Sequence, residues 1–258
     1  MTRIINLISG KGGVGKTTLT ANLAYALAEL GEEVVAIDAN LTTPHLGLHL
    51  GLQFVPITLH DVLRGSSSLK HALYPHRFGF KVLPGSLSVN DLQDVDVGKL
   101  PEIILSLLGK ADYILLDSAP GLGREAVSSL SSTQEILVVT NPDMPSLVDA
   151  LKVLKVAESI HKQVIGVILN RVERKAHELS KAEVENILGF PVLVEIPEDK
   201  NIPKSIAMKR PLLDAFPDSP AAVEIRRLAH NLAGIPFRYK PRKPAFNLIE
   251  RLVNWMVR

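Results

Sequence analysis

No cysteine occurs in the 258 residues. That absence excludes disulfides, thiolate metal sites and iron–sulfur ligation together. No run reaches the about 20 consecutive apolar residues that a membrane-spanning helix needs. The first apolar strand pattern begins near residue 3, which leaves no space for a secretory leader. A cytosolic chain is the expectation. There is no internal repeat, and little net charge, only +2. The small sum hides an asymmetry. Residues 236–258 hold six basic side chains and one acid, +5, which leaves −3 for the remainder.

What is present describes an ordinary globular protein, with 46% hydrophobic and 22% charged residues. The length suits one α/β domain. Apolar runs rich in Val, Ile and Leu predict strands at Ile4–Ser9, Glu33–Asp38, Phe80–Leu83, Tyr113–Asp117, Ile136–Thr140, Val164–Asn170 and Val192–Ile196. Most are continuous runs, the mark of parallel strands covered on both faces. Amphipathic stretches between them predict helices at Thr18–Leu30, Leu100–Leu108, Arg124–Leu130, Ser146–Ile160, Ser180–Leu188 and Ala221–Leu232. Ser66–Ser68 and Val89–Val97 read as loops. The alternation implies a doubly wound, mostly parallel sheet flanked by helices, with ligands at the strand C-terminal ends.

The most informative stretch comes after the first strand: Gly10-Lys11-Gly12-Gly13-Val14-Gly15-Lys16-Thr17-Thr18. Gly10 to Thr17 satisfies G-x-x-x-x-G-K-[ST] in the strand–loop–helix setting of a phosphate-binding loop. Glycines let successive backbone N–H groups face one anion, and the helix opening at Thr18 adds its positive end. Lys16 is placed to reach the β- and γ-phosphates, and Thr17 to ligate Mg²⁺. Asp38 ends the second strand. Asp117 ends the apolar run Tyr113–Leu116, where a carboxylate can oppose Thr17 across a Mg²⁺ ion. Asn170 ends another buried strand with an amide suited to adenine's donor and acceptor edge. ATP or ADP with Mg²⁺ is the expected ligand.

The second lysine makes the loop K-G-G-x-G-K-[ST], and here the chain resembles the MinD/ParA group of P-loop ATPases with a deviant Walker A motif. The resemblance implies a P-loop NTPase fold of SIMIBI type. It also implies that Lys11 reaches across an ATP-dependent homodimer to the partner's phosphates. Family switch I carries D-x-D, its second acid associated with positioning the attacking water. This chain has Asp38-Ala39-Asn40, an amide in that place, which can orient water but not take its proton. Leu41–Leu50 otherwise fits switch I, and His45 reads first as a surface or interface residue. Ser118-Ala119-Pro120-Gly121-Leu122-Gly123 resembles switch II, with Gly121 N–H the expected γ-phosphate contact. The pair Asn170-Arg171 and the turn Pro197-Glu198-Asp199 match the family's base-binding pieces. The segment Ile196–Leu213 resembles the family's characteristic run after that turn. By resemblance Asp143 and Asp149 lie near the dimer interface; equally, they are acids well placed at a helix N-terminus. The resemblance covers about residues 3–235.

A basic Pro-rich linker, residues 236–245, and a final segment, residues 246–258, complete the chain. At about 100° per residue, Phe246, Ile249, Leu252, Val253, Trp255 and Met256 fall on one broad apolar face opposite Asn247, Glu250, Arg251, Asn254 and Arg258. That pattern, with the only tryptophan, predicts an amphipathic helix lying on an anionic membrane surface. Docking on the protein's own core is the alternative. The leading expectation is a MinD-like ATPase acting as a spatial or recruitment switch, peripheral to the cell membrane when ATP-bound and served by a protein partner. FlhG-like control of flagellar number uses the same parts. ParA-type DNA partitioning is disfavoured by the −3 charge of the remainder, so no nucleic-acid partner is expected. Asn40 also leaves open a scaffold that hydrolyses ATP weakly.

Overall fold

The computed structural model describes residues 1–93 and 95–239. The linker from residue 240 and the amphipathic segment 246–258, with the membrane contacts expected of it, lie outside the described residues.

Among the described residues eight strands form: β1 (Arg3–Ile8), β2 (Val34–Ala39), β3 (Tyr74–Pro75), β4 (Lys81–Leu83), β5 (Tyr113–Ser118), β6 (Glu135–Thr140), β7 (Gln163–Val172) and β8 (Val192–Pro197). They form one sheet in the order β3-β4-β2-β5-β1-β6-β7-β8. Every pairing is parallel except the two-residue β3–β4 contact. The winding runs one way from β1 to β2 and the other way from β6 onward. The crevice beyond the C-terminal end of β1 is therefore the topological switch point, where open α/β sheets bind ligands.

The helices are α1 (Lys16–Glu29), α2 (Leu46–His49), α3 (Leu59–Arg64), α4 (Leu69–Ala72), α5 (Leu100–Leu105), α6 (Arg124–Ser131), α7 (Met144–Ser159), α8 (Lys181–Leu188), α9 (Asn201–Ala207), α10 (Leu212–Ala215) and α11 (Pro220–Leu232). The expected strands and long helices all form, with ends moved by a residue or a few. Val89–Leu92 and Val97–Lys99, read as loop, form 3₁₀ turns. The short helices α2, α3, α4, α9 and α10 escaped the pattern because one or two turns are too short to show a 3.6-residue period.

Alternation along β1 divides the core. Ile5 and Leu7 join α1 and α11 on one face. On the other face Ile4 meets the cluster built with α3 and α5, and Ile8 the cluster built with α7 and α8. Among the described residues no helix is long and apolar enough to cross a membrane.

Leu115, fully buried in β5, tests this core. Leu115→Ala should lower unfolding free energy by about 2–5 kcal/mol in urea denaturation. Leu105→Ala, at an exposed site, should stay within about 0.5 kcal/mol of the parent. Equal costs at the two sites would contradict the layer assignment.

Candidate functional site

The loop after β1 enters α1 through Gly15, whose φ of 100° lies in the left-handed region that glycine occupies without a steric penalty. No side chain caps α1, and its first turn holds no acid. Its leading N–H groups therefore remain available to an anion. Gly10 is required for a different reason. A Cβ there would sit 2.1 Å from the Asp149 backbone carbon, so a side chain would push α7 off the loop.

Register sets the acids. β2 and β5 pair with Asp38 directly beside Asp117, both fully buried at the strand ends. Lys16, also buried, donates from Nζ to Ser9 Oγ at 3.0 Å. Burial lowers the Lys16 ammonium against the opposing pull of Asp117 and Asp38. Burial also raises Asp117, partly offset by the charge of Lys16. Asp38 is raised well above the usual carboxylate range, first by burial and then by the charge of Asp117. Its oxygens accept from Leu46 N at 2.8 Å and Asn40 N at 3.4 Å.

Neither oxygen of Asp117 has a hydrogen-bond partner. Two buried carboxylates against one ammonium, with an orphaned pair of oxygens beside Thr17, fit a hard divalent cation. No group of three or more His, Asp or Glu side chains converges among the described residues. Such an ion would thus take Thr17, Asp117 and Asp38 as its protein neighbours, with phosphate oxygens and water completing the shell, as Mg²⁺ commonly does.

The expected switch residues have definite positions. Asn40 is buried, and its side chain turns inward: Nδ2 donates to Thr43 O at 2.6 Å and Thr43 Oγ1 at 3.0 Å. In this conformation it closes the loop instead of facing a water. His45 immediately precedes α2, and its carbonyl meets the His49 ring at 2.9 Å. Gly121 N donates to the Ser9 carbonyl at 2.9 Å, so reaching a phosphate would require this turn to release β1's end. Lys11 Nζ lies 3.4 Å from Asp143 Oδ1 of its own chain. Asp143 also caps α7 through Ser146 N at 2.9 Å and Ser146 Oγ at 2.6 Å. Desolvation would raise the Asp143 carboxyl, but the two Ser146 bonds and Lys11 hold it below the usual range. Asp149 pairs with Lys152 at 3.0 Å. Asp143 thus has the helix N-terminal place that the sequence allowed, whereas Asp149 lies in the second turn of α7, whose first turn holds no acid.

The base-binding pieces are only partly brought together. Asn170 Nδ2 donates to Val14 O at 2.7 Å, through space that Gly15 leaves by having no Cβ. Arg171 (φ 59°) reaches Glu198 at 3.9 Å. Pro197 and Glu198 line a cleft of about 1170 Å³ along β8, and Asn170 is not part of that wall. Asp199 lines the same cleft, and its carboxylate accepts from Asn201 N at 2.9 Å and Ala221 N at 3.3 Å, at the starts of α9 and α11. Pattern reading missed Ser9, the Lys16 partner, and His60. The fully buried His60 ring holds Leu41 O at 3.0 Å and accepts from Ser86 N at 3.0 Å. No local motif marks either residue.

The chain matches the CobQ/CobB/MinD/ParA nucleotide-binding domain over residues 5–212. It is 36% identical to an uncharacterized ATP-binding protein of Methanocaldococcus jannaschii, over 96% of this chain and 94% of that one. The solved structure of the septum site-determining protein MinD of Pyrococcus horikoshii, complexed with Mg-ADP, superposes with a TM-score of 0.87. That match has 41% identity and covers 90% of this chain and 96% of the other. MinD in the MinC:MinD cell division protein complex of Aquifex aeolicus gives a TM-score of 0.82 at 31% identity, covering 93% and 99%.

The geometry sets two expected outcomes. Because Asp38 binds its proton more tightly folded than unfolded, stability is lost as pH rises through its folded value. The buried His49, His60 and His76 rings, lowered by desolvation, act in the opposite direction over this range, so Asp38 is read from the difference between parent and variant. Nucleotide-free Asp38→Asn should gain melting temperature over the parent, more at about pH 8 than at about pH 5, while weakening Mg²⁺-nucleotide binding; a difference that does not grow with pH would refute this role for Asp38. Asn40→Asp removes both donors to Thr43 and sets a carboxylate against a carbonyl. It should not accelerate ATP hydrolysis, and a rate increase in a steady-state assay would show that water positioning outweighs loop closure.

Proposed function

Starting from a chain that belongs to the CobQ/CobB/MinD/ParA nucleotide-binding family, we propose a MinD-like ATPase that acts as a nucleotide-gated positioning and recruitment switch. The observation that carries this reading is the buried trio of Lys16, Asp38 and Asp117 at the mouth of an uncapped helix. Its chemistry fits MgATP, and the Pyrococcus horikoshii relative is complexed with Mg-ADP.

The protein's own groups divide the work. The loop N–H groups and α1 hold the phosphates, and Lys16 neutralises charge on the β- and γ-oxygens. Thr17, Asp117 and Asp38 would hold Mg²⁺, which would supply charge neutralisation of the phosphoryl group when bound. Hydrolysis of ATP through a loose transition state asks for positioning and electrostatics more than for a strong base. An amide at Asn40 is compatible with that demand, at a slow rate.

Lys11 completes the site of a second copy. In the single chain it is half-exposed and held by Asp143 through one long contact. Exposed ion pairs of this kind contribute little, about 0–1 kcal/mol. Lys11 can therefore leave Asp143 for a partner's phosphates at small cost, so that ATP assembles the dimer. Met144 and Val148, exposed on α7 near Asp143, suit a surface covered in that dimer.

The sequence of residues 246–258 supports an interfacial membrane helix, and a dimer carries two. Two weak anchors on one body raise avidity about 10²-fold or more without new contacts. ATP-bound protein would then sit at an anionic membrane and ADP-bound protein in the cytosol. The MinC:MinD complex of Aquifex aeolicus supports a protein partner in addition.

Co-sedimentation with anionic liposomes tests the reading, using the full chain and a truncation after Lys240 with a non-hydrolysable ATP analogue or ADP. The full chain should pellet mainly with the analogue and the truncation should stay in solution. Lys16→Ala and Lys11→Ala should each abolish the analogue's effect. Equal pelleting with both nucleotides, or by the truncation, would remove the gated anchor.

A further inference from the structure

The segment from β2 into α2 is tethered at five residues, Asn40, Leu41, Thr42, Thr43 and Leu46. The Asp38 carboxylate takes Asn40 N and Leu46 N, His60 holds Leu41 O, and Asn40 holds Thr43. The remaining tether comes from elsewhere. Thr42 N donates to Glu125 Oε2 at 3.2 Å, and the Thr42 hydroxyl donates to Glu125 Oε1, across 83 positions of sequence.

Glu125 is the second residue of α6, just past the Gly121–Gly123 turn. An acid in a first helical turn is favoured by the helix dipole alone, and that requires no distant partner. Here both oxygens of one carboxylate meet the N–H and O–H of one residue. Farther along α6, Ser128 donates to Val97 O at 2.8 Å and Ser129 accepts from the buried Asn6 at 3.2 Å. The helix is thus anchored on its later residues, and Glu125 stands at the end next to the turn after β5.

We propose that Glu125 is a positioning residue that locks the loop after β2 to the turn after β5, so that the two loops flanking Asp38 and Asp117 rearrange as one unit. If Gly121 leaves the Ser9 carbonyl for a phosphate, the start of α6 moves with it, and Thr42 moves with Glu125. The coupling stands on geometry; its kinetic consequence rests on the ATPase reading above.

Amide hydrogen exchange on the full chain without nucleotide reads the coupling directly. Thr42→Val should speed exchange across 119–127, and Glu125→Gln across 38–46, each by about fivefold or more, as expected for loss of a charge-assisted bond. The double variant should match the larger single effect. Changes confined to each variant's own segment, or additive in the double, would overturn the proposal. In steady-state MgATP hydrolysis, Glu125→Gln should lower kcat about 5- to 30-fold with KM within about twofold. An unchanged kcat, or a rise in KM alone, would equally overturn it. If the parent chain itself fails to hydrolyse ATP, the ATPase reading falls, and the exchange experiment still decides the coupling. Thr42 is solvent-exposed and Glu125 half-buried, so the variants should fold.

Discussion

Burial of Asp38 beside Asp117 is the constraint around which the molecule is arranged. Two parallel strands in register hold two carboxylates side by side in the interior, where an unpaired charge is costly. Lys16 answers one of them. Backbone N–H groups from the loop after β2 answer part of the other. Asp117 is left with no hydrogen bond, a deficit that a divalent cation would fill. The loops after β2 and β5 are the ones that stand over this pair of acids.

Much of this was legible because it is local. The strands of the sheet are apolar runs, and a parallel strand covered on both faces needs only composition to be seen. The phosphate loop could be read because Gly10, Gly15 and Lys16 act within one turn of chain. Their particular reasons were hidden. Gly10 is glycine because α7 arrives from residues 144–159, and Gly15 because Asn170 does. Spacing could not distinguish a carboxylate aimed at a ligand from one capping a helix. Asp199 has the sequence setting of the first, and in the fold it both lines the cleft and holds N–H groups at the starts of α9 and α11. Glu125 and His60 were invisible for the same reason, since their partners lie 83 and 19 residues away.

Helix α7 links the loop's shape to assembly. Its Asp149 backbone rests on Gly10, and its Asp143 engages both Ser146 and Lys11. One element therefore fixes the entry to the phosphate loop and restrains the lysine proposed to serve the other copy. Weak exposed pairing there suits the proposed dimer, since a tighter bond would hold Lys11 to its own chain.

One amide group, that of Asn170 against Val14, shapes the phosphate loop. On the reading that the same side chain also meets a nucleobase, choice of base and grip on the triphosphate would be two traits of one position. A substitution made there to suit another base would then loosen the loop as well.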